Sequence, residues 1–416
     1  MEDVLSRAEF LARHSESPAN YTRTYLTPAH QAAAAQIAAW MRAAGMSVRT
    51  DPLGSVIGTF VTPGSDHLGS SGLTPVLMMG SHFDSVRNGG KYDGVLGILV
   101  PIACVAELHR RGERLGVAIE IVAFADEEGA RFQTSFLASR AMLDGAKSVG
   151  PLLERRDADG VSLAEAMRAA GLDPARVDEA RIDPRRLAAY VEVHIEQGPV
   201  LLEKDAPLGV VTAIAGGTRH LVTVRGEAGH AGTVPMPMRR DALAAAAGMV
   251  LAVEEIAAAR GVVGTVGILK VRDGTGNVIP GEVEFTVDLR APRDEQRLEA
   301  EGAVFARFDS IAAQRHVSVE KSKRHEVRAA PCAPWLQERL AAGIRSTGVE
   351  PVHLPSGAGH DAMILAEVTD VGMLFVRCGA GGVSHNPAET VSGPDVERAT
   401  RALLDFLRRF EPPRPR

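Results

Sequence analysis

Apolar positions along this chain switch between helical and strand periods, and the switches mark out its elements. From Pro28 to Ala44 alanines and larger apolar residues recur at helical spacing, and Gly45 ends the run. TPVLMMGSHFDS is a short apolar run that predicts a buried strand opening into a loop. DGVLGILVPIACVAELHRRG predicts a helix, and GVAIEIVAFADEEG a second buried strand. Strand, helix, strand is a βαβ unit, so a parallel sheet with helices on both faces is expected. AAYVEVHIEQG adds a strand ending in polar residues, and TDVGMLFVRCG another buried one much later in the chain.

Between roughly Gly217 and Glu320 the rhythm changes. TRHLVTVRG predicts a strand and RRDALAAAAGMVLAVEEIAAARG a long alanine-rich helix. GTVGILKVRDG and EVEFTVDLR predict strands joined by TGNVIPG, DEQRLEAEGAVFARFDSIAAQR a helix, and HVSVEKS a last strand. The order βαββαβ is that of a ferredoxin-like split motif. The expected fold is therefore α/β: a mixed, mainly parallel sheet flanked by helices, built from residues 1–215 and 325–416. Residues 216–324 form an inserted ferredoxin-like α+β domain. The terminal PPRPR is expected to fray.

Composition narrows the function. A chain of 416 residues exceeds one ordinary core, in keeping with two domains. The net charge of −6 and the lack of a basic stripe with interleaved aromatics argue against nucleic-acid and anionic-membrane partners. No stretch is read as approaching the roughly 20 apolar residues of a membrane span. The first residues lack a basic region followed by an apolar run, so no secretory signal is expected. Cys104, Cys332 and Cys378 are far apart and in no CxxC pair, which fits a reducing compartment, and the cytoplasm is the simplest location.

In open α/β sheets, sites gather at the carboxyl ends of strands, and the strands above end in His, Asp or Glu. His82 and Asp84 follow one strand, and Asp93 sits in the glycine-rich loop after it. Glu127 and Glu128 follow the next strand, His194 ends a third, and His385 lies in a glycine-rich loop after the last. Imidazoles and carboxylates gathered from several strand ends suit divalent metal ions, and adjacent acids repel unless a cation lies between them. Each signal alone also suits a bland reading: a surface turn for His82 and Asp84, a solvated turn for Glu127 and Glu128, a hydrogen-bonded core histidine for His194, an exposed loop for His385. Likewise, Gln197 suits a polar loop, His230 an exposed turn, and Arg290 a solvated sheet face shared with Glu284 and Asp288. Asp361 suits a helix cap. His14, His30, His67, His109, His220, His316, His325 and His353 read as surface or packing residues.

GSHFDSVRNGGKYDG, FADEEGARFQTSFLASRA, HIEQGPV, GHAGTVPMPMRRDAL, GNVIPGEVEFTVDLR, SGAGHDAM and GGVSHNPAE, in that order, together resemble the ureide and N-carbamoyl amino-acid hydrolases of the aminoacylase and carboxypeptidase G superfamily of metallohydrolases. The resemblance runs from about residue 20 to 410. It implies two divalent ions bridged by Asp93, one held by His82 and His194, the other by Glu128 and His385. It makes Glu127 the general base and Asp84 the acid that orients the His82 ring. It makes His230 a stabiliser of the tetrahedral oxyanion. Arg290, helped by Asn277, becomes the clamp on a substrate carboxylate, with Gln197 and His360 as further substrate-binding positions. Ser85 stands where such proteins often carry threonine. The resemblance also implies a homodimer, with contacts such as His230 supplied across it, and closure of the two domains would assemble the site.

The stretches GHAGTVPMPMRRDAL and VGMLFVRCGAGGVSHNPAE look closest to the allantoate amidohydrolases, which implies hydrolysis of allantoate to ureidoglycine, carbon dioxide and ammonia. An N-carbamoyl-L-amino-acid hydrolase or related ureidopropionase is the alternative; a peptidase or aminoacylase and a non-catalytic metal-binding scaffold are the others. Histidine and carboxylate ligands suit manganese, zinc, cobalt or nickel, and the resemblance favours manganese.

Overall fold

A computed structural model describes residues 4–61 and 74–412. His67 and most of the PPRPR tail lie outside these residues. The chain divides into two compact units, one of Met1–Thr212, Cys332–Leu354 and Gly359–Arg416, the other of Ala213–Pro331 and Pro355–Ala358.

The first unit is organised around a sheet in which Ser47–Thr50, Val56–Phe60, Ala118–Phe124, Val76–His82, Leu187–Ile195, Val371–Val376 and Leu208–Ile214 are neighbours in that order. Its centre is parallel: Val76–His82 pairs with both Ala118–Phe124 and Leu187–Ile195, and Val371–Val376 pairs with Leu187–Ile195. The outer pairs are antiparallel. Val76–His82, Ala118–Phe124 and Val371–Val376 are buried at every position. This is why they read as continuous apolar runs rather than alternating ones. Helices Pro28–Ala43, Leu96–Arg111 and Gly393–Arg408 match strong local signals. Thr27 caps the first with Pro28 at its start, left-handed Gly112 ends the second, and Ser392 caps the third. The parallel centre means that the loops after His82, Phe124, Ile195 and Val376 all leave from one end of the sheet.

The second unit has an antiparallel sheet in the order Leu269–Val271, Glu282–Ala291, Gly216–Arg225, Ser318–Val327, with Val263–Thr265 also on Glu282–Ala291. With helices Ala242–Arg260 and Asp294–Gln314, this is the strand order of the split βαββαβ motif. Glu282–Ala291 alternates strictly, with Val283, Phe285, Val287 and Leu289 buried against Met249, Val253, Val304 and Phe308. Three expectations need correction. The strand expected over GTVGILKVRDG is two short pieces, with Gly267 in the break between them. A boundary at 324/325 would cut the strand Ser318–Val327, which pairs with Gly216–Arg225, and the unit runs on to Pro331. Finally, helix Ala242–Arg260 is by length and composition long and apolar enough to cross a membrane. Alanine supplies that apolarity, and Ala242, Ala245, Ala246 and Ala252 lie in this unit's core.

Cys104, Cys332 and Cys378 are free and buried.

Candidate metal centre

Asp93 lies at the middle of the converging strand ends. Its Oδ1 is 3.3 Å from His194 Nε2 and 3.8 Å from His82 Nε2, and its Oδ2 is 3.1 Å from His385 Nε2. His385 Nε2 is also 3.3 Å from Glu128 Oε1. Among the described residues, four sets of potential ligand atoms fall within 4.8 Å of one another: His82, Asp93 and His194; Asp93, Glu128 and His385; His82, Glu127 and Glu128; and Glu192, His194 and His360. Asp93 and Glu128 thus each belong to two sets, so one carboxylate can serve two ions.

Each side chain is aimed by its own element. His82 ends a buried strand, and its Nδ1 faces the Asp84 carbonyl at 3.1 Å and the Asp84 carboxylate at 3.4 Å, leaving Nε2 for Asp93. Asp84 accepts the amides of Glu127 and Glu128 at 3.0 and 3.1 Å, so it ties the acidic turn to the His82 loop. His194 Nδ1 faces its neighbour's carbonyl, Ile195 O, at 2.9 Å, which again leaves Nε2 inward. His385 and Gln197 adopt left-handed backbone, φ 54° and 57°. Such strain in non-glycine residues gathers at functional sites. Gly382, φ 81°, packs so close to the Gly198 backbone that a Cβ would lie 2.4 Å from it.

Buried carboxylates crowd this centre, and positive charge among them relieves their repulsion. Burial opposes ionisation of Asp93, but hydrogen bonds from His385 and His82 outweigh it and hold its pKa well below the usual range. Burial also works against a charged His82, yet bonds to Asp84 and Asp93 prevail and raise it well above normal. Bonds to Asp93 and Glu128 lift His385 to about 10. Burial raises Glu127 far above a normal glutamate, countered by His82 and reinforced by Glu128. Protons on imidazoles thus supply positive charge that divalent ions would supply on binding, with release of those protons. Two buried atoms, Glu128 Oε1 and His194 Nε2, make no well-formed hydrogen bond. Unsatisfied inward-facing donors of this type, without a thiolate among them, fit hard to borderline divalent ions.

The remaining expected site residues fall as follows. Gln197 Nε2 donates to both Asp93 oxygens at 3.2 and 3.0 Å, which binds it to the centre itself, while its Oε1 is buried and unpaired. His360 is buried with its ring 4.5 Å from that of His194. It occupies the N-cap position of Asp361–Leu365, so Asp361 is the first helical residue and not the cap. In the second unit His230 and Asn277 are brought together: Val278 pairs with His230, and the Ala231 amide donates to the Asn277 carbonyl. His230 Nδ1 accepts from Gly232 N. Arg290 shares the open sheet face with Asp288, which accepts from its Nε at 2.9 Å, and its Nη1 donates to Gly357 O.

Sequence reasoning missed Glu389 and Glu192. Glu389 accepts the amides of Tyr92 and Asp93 and the Ser384 hydroxyl, pinning the Asp93 loop to the His385 loop. Its only signal was its place in SHNPAE, four residues after His385. Glu192 accepts from Ser81, Tyr190 and the Ala362 amide. It lay hidden because a buried acid inside an apolar strand looks like an outward position.

The model of peptidase family M20/M25/M40 matches residues 78–409. An N-carbamoyl-L-amino acid amidohydrolase of Geobacillus stearothermophilus is 43% identical over 92% of this chain and 91% of its own. An allantoate deiminase of Arabidopsis thaliana is 39% identical over 98% and 82%. The crystal structure of an amidase of the hydantoinase/carbamoylase family from Burkholderia multivorans superposes with a TM-score of 0.89 at 31% identity, covering 98% of both chains. A run of relatives this long takes in every strand end that feeds the Asp93 cluster, and the chain belongs to peptidase family M20/M25/M40.

Proposed function

We propose that the chain is a metal-dependent amidohydrolase that cleaves a ureido C–N bond in a substrate that also carries a carboxylate, with allantoate as that substrate. The observation that carries the reading is the Asp93-centred ligand cluster with the buried Glu127 at its edge. His82 and His194 would hold one divalent ion, Glu128 and His385 the other, with Asp93 shared. Manganese or zinc suits this donor set, and cobalt or nickel is compatible with it. When bound, the ions supply Lewis acidity, which the unreactive ureido carbon needs, and make a water acidic at neutral pH.

The chain's own residues do the rest. Glu127 is buried beside the ligands and is not assigned to either ion; it accepts the proton of the attacking water and returns it to the leaving nitrogen. Asp84 keeps the His82 ring oriented and the Glu127 amide fixed. Gln197, anchored on Asp93, is assigned a contact with the ureido group. Arg290, its plane set by Asp288, is assigned the substrate carboxylate, and His230, Asn277 and His360 the remaining polar contacts. A cytoplasmic homodimer is proposed with this function. It is supported by exposed Leu251, Val263, Ile268 and Leu269 in the second unit.

The products named for allantoate are ureidoglycine, carbon dioxide and ammonia. The 43% identical relative, an N-carbamoyl-L-amino acid amidohydrolase, favours N-carbamoyl-L-amino acids as the second reading. Ammonia release from both substrates by manganese- and zinc-loaded protein tests the choice. Allantoate is expected to be turned over with the higher kcat/KM; turnover of the carbamoyl amino acid alone would reverse it.

A further inference from the structure

The segment Tyr21–Thr24 belongs to no helix or strand, yet the loop behind the metal centre is stitched to it. The Arg23 amide donates to Ser85 Oγ at 2.9 Å, and the Ser85 amide donates to the Arg23 carbonyl at 3.0 Å. Arg23 Nε donates to the Phe83 carbonyl at 2.6 Å and Nη1 to the Leu11 carbonyl at 2.9 Å. Farther along, the Asn88 amide donates to Thr22 Oγ1 and the Gly89 amide to the Tyr21 carbonyl. The peptide oxygen between His82 and Asp84 is therefore gripped by a guanidinium, and the residue after Asp84 is bonded twice to the same arginine.

The Arg23 side chain is fully buried, pairs with no carboxylate among the described residues, and leaves Nη2 without a partner. A buried cation met only by carbonyls and by the Tyr21 ring, whose centre lies 5.2 Å from Arg23 Cζ, is costly, and an apolar side chain of similar size would serve packing better. What the guanidinium provides is geometry. Its rigid fork fixes two carbonyls at once, which the single ammonium of lysine does not reproduce. The carbonyl it holds lies between a ring that faces Asp93 and a carboxylate that receives the Glu127 and Glu128 amides.

We infer that Arg23 is a positioning residue of the metal centre, acting through the Phe83 carbonyl and the Ser85 hydroxyl to fix the His82 ring and the Asp84 carboxylate. The inference rests on the reading of the Asp93 cluster as a metal centre.

The test compares full-length wild type with Arg23→Lys, Ser85→Ala and Ser85→Thr. Zinc affinity is measured by competition with a chromophoric chelator, the absorption spectrum of the cobalt(II)-loaded protein is recorded, and metal-free melting temperatures are taken alongside. Arg23→Lys and Ser85→Ala are expected to weaken zinc by about 10- to 100-fold, the usual effect of losing a partner behind a metal ligand, and to change the cobalt spectrum. Ser85→Thr should restore both. Wild-type affinity and spectrum in Arg23→Lys and Ser85→Ala, even with lowered melting temperatures, would reduce Arg23 to a structural role and overturn the inference. If Arg23→Lys does not fold, Ser85→Ala decides on the same criteria. A wild type that binds neither zinc nor cobalt overturns the metal reading and this inference together, whereas a metal-binding wild type with indifferent variants overturns this inference alone.

Discussion

Glu127 and Glu128 are chemically identical neighbours, and their surroundings separate them. Glu128 Oε1 is buried, makes no well-formed hydrogen bond and lies 3.3 Å from His385 Nε2, which suits a ligand. Glu127 is more deeply buried, and its carboxyl is raised by that burial, which suits a group that exchanges protons. Glu127→Gln should therefore keep zinc or manganese bound while lowering kcat by about 10²–10⁴-fold; metal analysis beside turnover measurement separates the two effects. A variant that retains near-normal turnover would remove Glu127 from the proton path. Two other buried groups, neither of them a candidate ligand, make opposite demands on pH. Burial raises Asp51 from 3.8 to about 6, although the Leu53 and Ser55 amides donate to its Oδ1. The folded state then holds that proton more tightly than the unfolded chain, so this contribution to stability is full below 3.8 and lost as pH rises through 6. Burial lowers His30 from 6.5 to about 4. Here the unfolded chain takes the proton first, so the contribution is full above 6.5 and lost as pH falls through 4. The two slopes nearly cancel. Asp51→Asn keeps the acceptor oxygen and deletes one slope, so its stability relative to wild type should grow by roughly 3 kcal/mol between pH 4 and 7. Urea unfolding at the two pH values measures this, and a constant difference would show that Asp51 ionises freely in the folded state.

At the scale of elements, periodicity was a sound guide wherever an element is buried evenly. The strands Val76–His82, Ala118–Phe124 and Val371–Val376 were legible as unbroken apolar runs, and helix Pro28–Ala43 by its spacing and terminal Gly45. The ligand positions were legible for a related reason, since each lies at the end of such a run or in the loop that follows it. Less legible was whatever depends on two distant segments meeting: the Glu389 carboxylate on the Asp93 amide, the Arg23 guanidinium on the Phe83 carbonyl, the Gln197 amide on Asp93. No local pattern encodes a contact across 60 to nearly 300 residues of chain. The turn Asp93–Gly94 shows how tightly such meetings are built. Gly94 has φ 66°, and a Cβ there would lie 2.5 Å from the His82 carbonyl and 2.6 Å from its ring. Only glycine lets the helix Leu96–Arg111 start this close behind a ligand. Gly94→Ala should displace His82 and weaken zinc by about 10- to 100-fold, the usual effect of disturbing the support of a metal ligand. Chelator competition is the measurement, and unchanged affinity would mean that the loop has slack.

At the scale of the whole molecule the two edges of the second unit's sheet are treated differently. Ser318–Val327 forms one edge and carries Lys321, Lys323, Arg324, His325 and Glu326, the charges that commonly keep an edge from pairing. The opposite edge, Val263–Thr265 and Leu269–Val271, carries the exposed apolar residues Val263, Ile268 and Leu269, at 61%, 53% and 41% of full exposure. Leu251, on helix Ala242–Arg260 of the same unit, is 66% exposed. An unprotected apolar edge with an apolar helix residue beside it in the same unit is an aggregation hazard unless something covers it. A second copy meeting edge to edge, helix to helix, would cover both at once, as a twofold interface does. Leu251→Glu combined with Leu269→Glu should therefore halve the mass measured by light scattering, whereas Lys321→Ala on the charged edge should leave it unchanged. A wild type that runs as a monomer at micromolar concentration would leave this edge to some other partner. Should the double variant become monomeric, its kcat/KM tells whether groups from both copies are needed: a loss much larger than any loss of metal affinity would place His230, in this same unit, in the partner's reaction rather than its own.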